Sequence, residues 1–429
     1  MLSKTSTRLY SRIPLALAIC LTIFLVGLKP ALATPLAPLF ATTTGTDIIC
    51  SQINPCNLVT AVFLAADNQY VYVAAGTYTG VMDPMLTINK DIRLTGGWDG
   101  ASSGPVVVDP VAYPTVLDGQ GARRVIEVIP WTNPPDPPDP PTPIISGFTI
   151  TRGYHTSEGG GIYIENSPFV QIVDNIFYDN NAYAYGGGLY IDEGTIEIKR
   201  CRFEANQVTY GGGALMLATG VLATMFDNTF TGNTASYGAA FHSDRASITF
   251  YNNYVLNNLG NTSTDAISLN GTVGHEIIFY NNIIAGNIAD GIKVQRYTLR
   301  LYHNTIADNG RDGLNIDLDA HVALTNNIFS GHDGTGDNSI DKDASGVIDA
   351  STNNLFWNNT NDPYTGANPV FGDPKFYGVY HILPDSAARD GGASAFITSD
   401  IDHQARASGG VPDIGADEAL PVYIPLVMK

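Results

Sequence analysis

Basic side chains are scarce in this 429-residue sequence: 22 Lys and Arg stand against 41 Asp and Glu, a formal net charge of −19. A surface of that sign repels phosphate backbones, which excludes nucleic acid as a partner. Charged residues of both signs make up only 15% of the chain, whereas Gly (44 copies) and Tyr (22 copies) are plentiful. That balance suits a rigid extracellular β-protein better than a helical enzyme. Cysteine is also rare, at 4 copies, with no Cys/His spacing for zinc. Neither G-x-x-x-x-G-K-[ST] for nucleotide phosphates nor H-E-x-x-H occurs. Ser243 beside His242 and Asp244 is no triad, because neighbouring strand residues point to opposite faces.

Long apolar runs are confined to the start of the chain. Lys4, Arg8 and Arg12 precede an apolar stretch from Ile13 to Leu28, and Ala31-Leu32-Ala33 offers a cleavage site. This layout predicts a secretory signal over 1–33 and a secreted or cell-surface protein, with an uncleaved anchor as the alternative. The mature protein is then not membrane-spanning and is expected to act as a monomer. Of the cysteines, Cys20 leaves with the signal and Cys201 stands alone as a small core residue. Cys50 and Cys56 flank Asn54-Pro55 and form either a local disulfide or two free thiols.

What is present is a repeat. "EGGGIYIEN" (158–166), "YGGGLYIDE" (185–193), "YGGGALMLA" (210–218) and "YGAAFHSDR" (237–245) are followed by the weaker echoes "DAISLN", "DGIKVQ", "DGLNID" and "NSIDKD". A second element, N-x-[hydrophobic]-x-x-N, runs in step with it, as in "NIFYDN", "NTFTGN", "NIIAGN" and "NTIADN". Its opening column reads Asn175, Cys201, Asn228, Asn253, Asn282, Asn304, Asn327 and Asn354. The closing column reads Asn180, Asn206, Asn233, Asn258, Asn287, Asn309, His332 and Asn359. One amide recurring at one place per period predicts stacking, each side chain bonded to its neighbour a coil away. Leucine does not dominate and no repeat has a helical apolar period, which excludes a leucine-rich repeat. Short alternating runs such as "TIEIK", "SITFY" and "EIIFY" predict strands.

The expected fold is all-β: a single-stranded right-handed parallel β-helix with coils of about 22–27 residues and a short N-terminal capping helix. "GGAL" (212–215), with "FYDN", "FEAN" and "FTGN", resembles the passenger repeats of chlamydial polymorphic outer membrane proteins. More broadly, "AAGTYTG", "LTGGWDG", "PTVLDGQG", "SGFTITRG" and "PDIGADE" resemble bacterial right-handed parallel β-helix repeat proteins and the pectate-lyase-like superfamily.

The predicted organisation is an N-terminal cap and first coils over 34–125, a repeat region over 126–360, a segment over 361–418 that the family resemblance implies closes the stack, and an apolar tail over 419–429. In the cap, Leu58, Val62, Phe63 and Ala66 mark one face of a helix that covers the open end of the stack. The Pro-rich stretch 131–143 is a stiff loop inserted in one coil. Asp residues after Asn361 are assigned to turns and caps. The tail is either a last edge strand or an anchoring signal.

Aligning the repeats on their tyrosines and glycines predicts the inward pairs Ile162/Ile164, Leu189/Ile191, Ala214/Met216, Phe241/Ser243, Ile267/Leu269, Ile292/Val294 and Leu314/Ile316. The outward columns are then Tyr163, Tyr190, Leu215, His242, Ser268, Lys293, Asn315, Asp341 and Glu165, Asp192, Leu217, Asp244, Asn270, Gln295, Asp317, Asp343. Tyr rings beside carboxylates and amides suit sugars, so Tyr163, Glu165, Tyr190, Asp192, Asp244 and Asn315 are candidate glycan-binding residues. A polar, Tyr-rich face is also what any exposed strand surface presents.

The superfamily resemblance implies a second reading, since its members include pectate lyases, alginate lyases and chondroitinase B. Lys293, with His242 and Arg296 as further candidates, would abstract a proton beside a uronate carboxylate. Asp317, Asp341 and Asp343 would hold calcium with oxygen ligands, although Lys342 stands between two of them. Neither the arginine signature of pectate lyases nor the paired aspartates of β-helical polygalacturonases is present. Three readings stay open: an adhesin-like protein presenting a rigid face to a polysaccharide or cell-surface glycan, a calcium-assisted polysaccharide lyase or other carbohydrate-active enzyme such as a glycoside hydrolase acting on an acidic polysaccharide, and a structural surface filament or coat.

Overall fold

The computed structural model describes residues 36–130, 142–260, 265–272, 275–394, 396–406 and 410–419. The expected signal, most of the Pro-rich loop and nearly all of the apolar tail lie outside the described residues. The described residues from 38 onward form one unit.

Each period of the sequence makes one turn of a coil. Gly194–Lys199, Arg202–Glu204, Gln207–Val208 and Leu215–Leu217 follow one another around a turn, and each pairs in parallel with its counterpart one repeat later. Stacking the turns yields a first and a second sheet of 12 strands each, a third of 10 and a short corner sheet of 5. This is a parallel β-helix. Its core is a column of side chains from alternate strand positions, with Phe177, Phe203 and Phe230 stacked at ring separations of 4.5 and 4.8 Å.

Corners make the closed coil from straight strands. Between the first and second sheets the chain turns on one residue of positive φ, such as Asp227, Asn252 or Asn281, and the buried asparagine of the opening column follows it. Asn and Asp tolerate this left-handed conformation. The asparagine then replaces the missing backbone ladder. Asn228 donates both its backbone N–H (2.9 Å) and its side-chain amide (3.0 Å) to Oδ1 of Asn253, and it also donates to the carbonyl of Ile198. The same bonds recur from Asn253 to Asn282, Asn304, Asn327 and Asn354. A second ladder runs from Asn180 through Asn309 to His332 and Asn359. Cys201 keeps its backbone bond to Asn228, and burial pushes its thiol up to about 12, so it is no nucleophile.

At the N-terminal end a helix, Leu58–Leu64, is capped by the Asn57 side chain, which accepts from the N–H of Thr60 at 2.8 Å. Its buried face is Leu58, Ala61 and Val62, continued by Ala65, at the i, i+3, i+4, i+7 positions of a helix. The expected face was rotated: Phe63 is 76% exposed and Ala66 is exposed, because the helix lies on the coil through its alanines. Cys50 and Cys56 form a disulfide beside this cap.

Residues after Asn361 do not simply close the far end. They run back along the outside of the second sheet as a strap, where Ile401 and Ala416 pack with Ile283, Ala285 and Ala307. Buried Arg406 anchors the strap, donating at 2.8 Å to Asn281 Oδ1 and to the carbonyls of Gly415 and Ala416. The strap's aspartates cap turns, as expected. Asp400 accepts from the N–H of Asp402, Gln404 and Glu418, and Asp413 from that of Asp390 and Ala419.

His332 shows what the amide ladder demands. Burial lowers its pKa to about 4 from 6.5. Below about pH 6.5 the unfolded chain takes up a proton that the folded chain refuses until about pH 4, so stability is lost across that window as the pH falls. His332→Asn, which restores the amide, is expected to raise stability by roughly 2–3 kcal/mol more at pH 4.5 than at pH 8. Urea denaturation of both proteins at the two pH values checks this.

Candidate functional site

The outer face of the third sheet supplies the floor of a cleft of about 510 Å³. Tyr190, Met216 and His242 stand in register along it, with Asp192, Ala218, Asp244 and Asn270 beside them. One wall comes from the glycine corner, where single parallel bridges join Glu158 to Tyr185, Tyr185 to Gly211 and Gly211 to Tyr237. A Cβ on Gly211 would meet the Tyr237 ring at 2.2 Å, so the bare backbone there lets that ring lie across. Tyr237 thereby brings its hydroxyl to 3.3 Å from that of Tyr185 and its ring edge-on to His242.

The bridges also correct the register in one coil. Gly186 and Gly212 are the corner glycines of positive φ, and counting from them pairs Leu215 with Leu189 and Leu217 with Ile191. Both leucines are fully buried, and Met216 takes the outward place expected for Leu215. Matching tyrosine to tyrosine misaligned the motifs by one residue, because Tyr185 is opposite Gly211 and not Tyr210. Backbone conformation, not the side-chain letter, sets the frame.

Tyr163 and Tyr190 stack on each other at 5.4 Å and 5°, and the Arg124 guanidinium covers Tyr163 at 4.4 Å. Arg124 is itself held by Glu127 and by the carbonyls of Gly159 and Glu158. Both faces of the Tyr163 ring are therefore occupied, and Tyr163 offers its edge and hydroxyl in place of an open ring face. Desolvation pushes Tyr163 up to about 12 and raises Tyr190 further, so both hydroxyls stay protonated and can donate. Glu165 and Asp192 are exposed, and Asp244 is paired with Arg245 at 2.9 Å.

His242 is 7% exposed and burial pushes it down to about 4. It is a neutral imidazole at pH 7, whose Nδ1–H donates to the carbonyl of Ser268 at 3.1 Å.

Lys293 pairs with Asp317 at 3.1 Å. Arg296, at a corner of positive φ, reaches Asn270 Oδ1 at 3.4 Å. Asp343 accepts from the N–H groups of Leu318, Ser345 and Gly346 and from the Ser345 hydroxyl, which hold it down to about 2. It is thus engaged as a turn cap, and Asp317, Asp341 and Asp343 do not bring three ligand atoms within 4.8 Å of one another. Lys342 stands opposite Ile316 and lies over the Tyr364 ring.

The profile of the right-handed β-helix region matches residues 142–255 and 213–370, more than half of the chain. This chain belongs to the right-handed β-helix family. The β-helix is similar to the crystal structure of pectate lyase Pel9A, with a TM-score of 0.60 and 14% identity over 90% of this chain and 97% of that one. The Azotobacter vinelandii mannuronan C-5 epimerase AlgE6 A-module matches at a TM-score of 0.38 and 13% identity, over 80% of this chain and 98% of that one. At 14% identity the likeness to the pectate lyase is one of fold. No curated protein matches the sequence.

One feature of this β-helix was not assigned to the site from its residues. Where the early coils have glycine in the corner, three successive later coils have Asp265, Asp290 and Asp312, all buried. Desolvation is the main cause that pushes Asp265 up to about 7 and Asp290 up to about 6, and it raises Asp312 as well. Lys293 lies close enough to oppose the first two shifts. Asn315 extends its amide nitrogen to Asp290 at 3.5 Å, and its buried Oδ1 has no hydrogen-bond partner. The signal was the motif "D-[AG]-[IL]", which stood in the glycine register of the repeat.

A carboxyl group whose folded pKa is raised favours the folded state when protonated. Stability from Asp265 is therefore fully present near pH 4 and is lost as the pH rises through about 7. Asp265→Asn keeps an acceptor for the Gly238 N–H, 2.6 Å from Asp265 Oδ1, and removes the titration. Its stability relative to the parent is expected to increase by on the order of 2–4 kcal/mol between pH 5 and pH 8, read from melting at both values.

Proposed function

We propose that this β-helix is an extracellular carbohydrate-binding protein whose third-sheet cleft holds a stretch of polysaccharide. The observation that carries this reading is the cleft's composition. Tyr185, Tyr190 and Tyr237 bring phenol groups, and Glu158, Asp192, Glu193 and Asp244 bring carboxylates, to one open groove along the stack. Phenol donors and carboxylate acceptors match the hydroxyls of a sugar, and successive parallel strands repeat at about 4.8 Å, close to the rise of an extended glycan residue. The disulfide near the cap fits an oxidising compartment. The lining has four carboxylates and neither Lys nor Arg, so a neutral glycan binds directly and a polyuronate needs a bridging dication.

Glycan-array binding of the full chain with and without calcium tests this. Tyr190→Phe combined with Asp192→Asn is expected to weaken binding by roughly tenfold or more. Unchanged binding by that variant would overturn the assignment of the cleft.

Lyase chemistry is favoured by a separate observation, the placement of Lys293 among the buried carboxylates Asp265 and Asp290 and the unpartnered Asn315 carbonyl. Here Lys293, once unprotonated, would take the proton beside a uronate carboxylate as the glycosidic bond at the neighbouring carbon breaks, and Asp265, Asp290 and Asn315 would hold the cation that offsets the carboxylate's charge. Uronate polymers incubated with the protein and calcium would yield unsaturated products that absorb in the ultraviolet, and Lys293→Ala would abolish them. If no uronate polymer gives such products, the protein is a binder without this activity.

A further inference from the structure

The strap brings together a group of side chains that the cleft does not use. His381 lies on the antiparallel hairpin of Phe376–Tyr377 with His381–Ile382, Asp402 in the turn closed by the bridge between Ser399 and Ala405, and Asp417 directly after Ala416, which packs on the second sheet. His381 Nδ1 is 3.2 Å from Asp417 Oδ1 and 3.4 Å from Asp402 Oδ2. This Nδ1 atom is cut off from solvent and lies within reach of both oxygens. The other Asp417 oxygen accepts the N–H of Ile382 at 2.7 Å, which orients the carboxylate with Oδ1 towards the ring.

One ligand atom from each of the three residues falls within 4.8 Å of the others. Bonds of about 2.0–2.1 Å at tetrahedral angles place ligand atoms about 3.3–3.4 Å apart, the spacing His381 keeps from both carboxylates. That spacing, with a buried ring nitrogen set against two carboxylate oxygens, is the arrangement of groups that share a cation.

We propose that His381, Asp402 and Asp417 form a site for a first-row divalent cation, zinc in particular, that fastens three segments of the strap to one another. One imidazole nitrogen with two carboxylates suits zinc, whereas calcium takes oxygen ligands alone. Two carboxylates balance the charge of the cation, and Asp402, whose side chain is 40% exposed, leaves the fourth position open to water. The three ligands come from three separate segments of the strap. One bound ion therefore links the hairpin, the turn and the final segment, whose neighbours Ile401 and Ala416 pack against the second sheet.

The test is made on the full chain purified without a polyhistidine tag. Dialysis against zinc followed by elemental analysis is expected to find one tightly held zinc per chain, and added zinc is expected to raise the melting temperature in a way that EDTA reverses. Asp402→Asn alters an exposed ligand without emptying the core, and it is expected to lower zinc affinity by roughly tenfold or more and to abolish the thermal shift. His381→Gln should behave alike. Equal zinc content and an equal shift in the parent and both variants would mean an adventitious ion only. A parent that binds no zinc, with a melting temperature insensitive to zinc and EDTA, would leave His381 in a plain ion pair and overturn the proposal.

Discussion

The hydrogen bond from one coil to the next is the interaction on which everything else in this protein rests. Along the strands it is supplied by backbone pairing, which any sequence of extended residues can make. At the corners the chain turns and the pairing lapses, and there the asparagine ladders take over, each Oδ1 accepting two N–H groups from the coil before. A buried amide that lost its neighbour would leave donors unpaired on the adjacent coil, so the ladders are intolerant of any residue that cannot both accept and donate. Cys201 and His332 are the exceptions, and each retains a bond to the following asparagine.

A rigid stack of this kind converts sequence repeats into surface columns. Residues a period apart become neighbours on one face, and chemistry accumulates along the axis without any loop having to close over it. The cleft is built this way, from a floor of strand residues and a wall of corner residues. The same logic places Asp265, Asp290 and Asp312 one above another, where burial, with a lesser part from repulsion by Asp290 on Asp265 and by Asp312 on Asp290, opposes their ionisation. Such a column is costly to hold in a solenoid whose other corners use glycine and alanine, and costly polar groups concentrate where a protein acts.

The strap has a different task. A parallel solenoid exposes the outer face of each sheet, and the strap covers part of the second one with apolar contacts and a buried arginine. Its contacts reach back to Asn252 and Asp227 through His403, well away from the end of the stack. The strap thus ties coils together from outside, as the ladders do from within.

Much of the fold was legible because the period is written in residues with few conformational alternatives. Gly, Asn and Asp at the corners signal positive φ, and alternation between them signals strands. The helix was legible as an element but not in its orientation, since alanine and phenylalanine weigh differently in an apolar pattern than in the contact they make: Ala61 and Ala65 fit against the coil, and Phe63 does not. In the site, Tyr190, Asp192, Asp244 and His242 were legible as an outward row. Glu158, Tyr185 and Tyr237 were not, because they belong to a corner that approaches the row only after the coil closes.

By itself the sequence determined the coil length, the two amide ladders and most of the alternation between core and surface, because each follows from local backbone preference repeated many times. Only the tertiary structure decided the register of the Leu215 coil, the occupied faces of the Tyr163 ring and the meeting of His381 with Asp402 and Asp417. Those depend on which backbone atoms pair across coils and on where distant segments pack, and neither is encoded in the residues' own spacing.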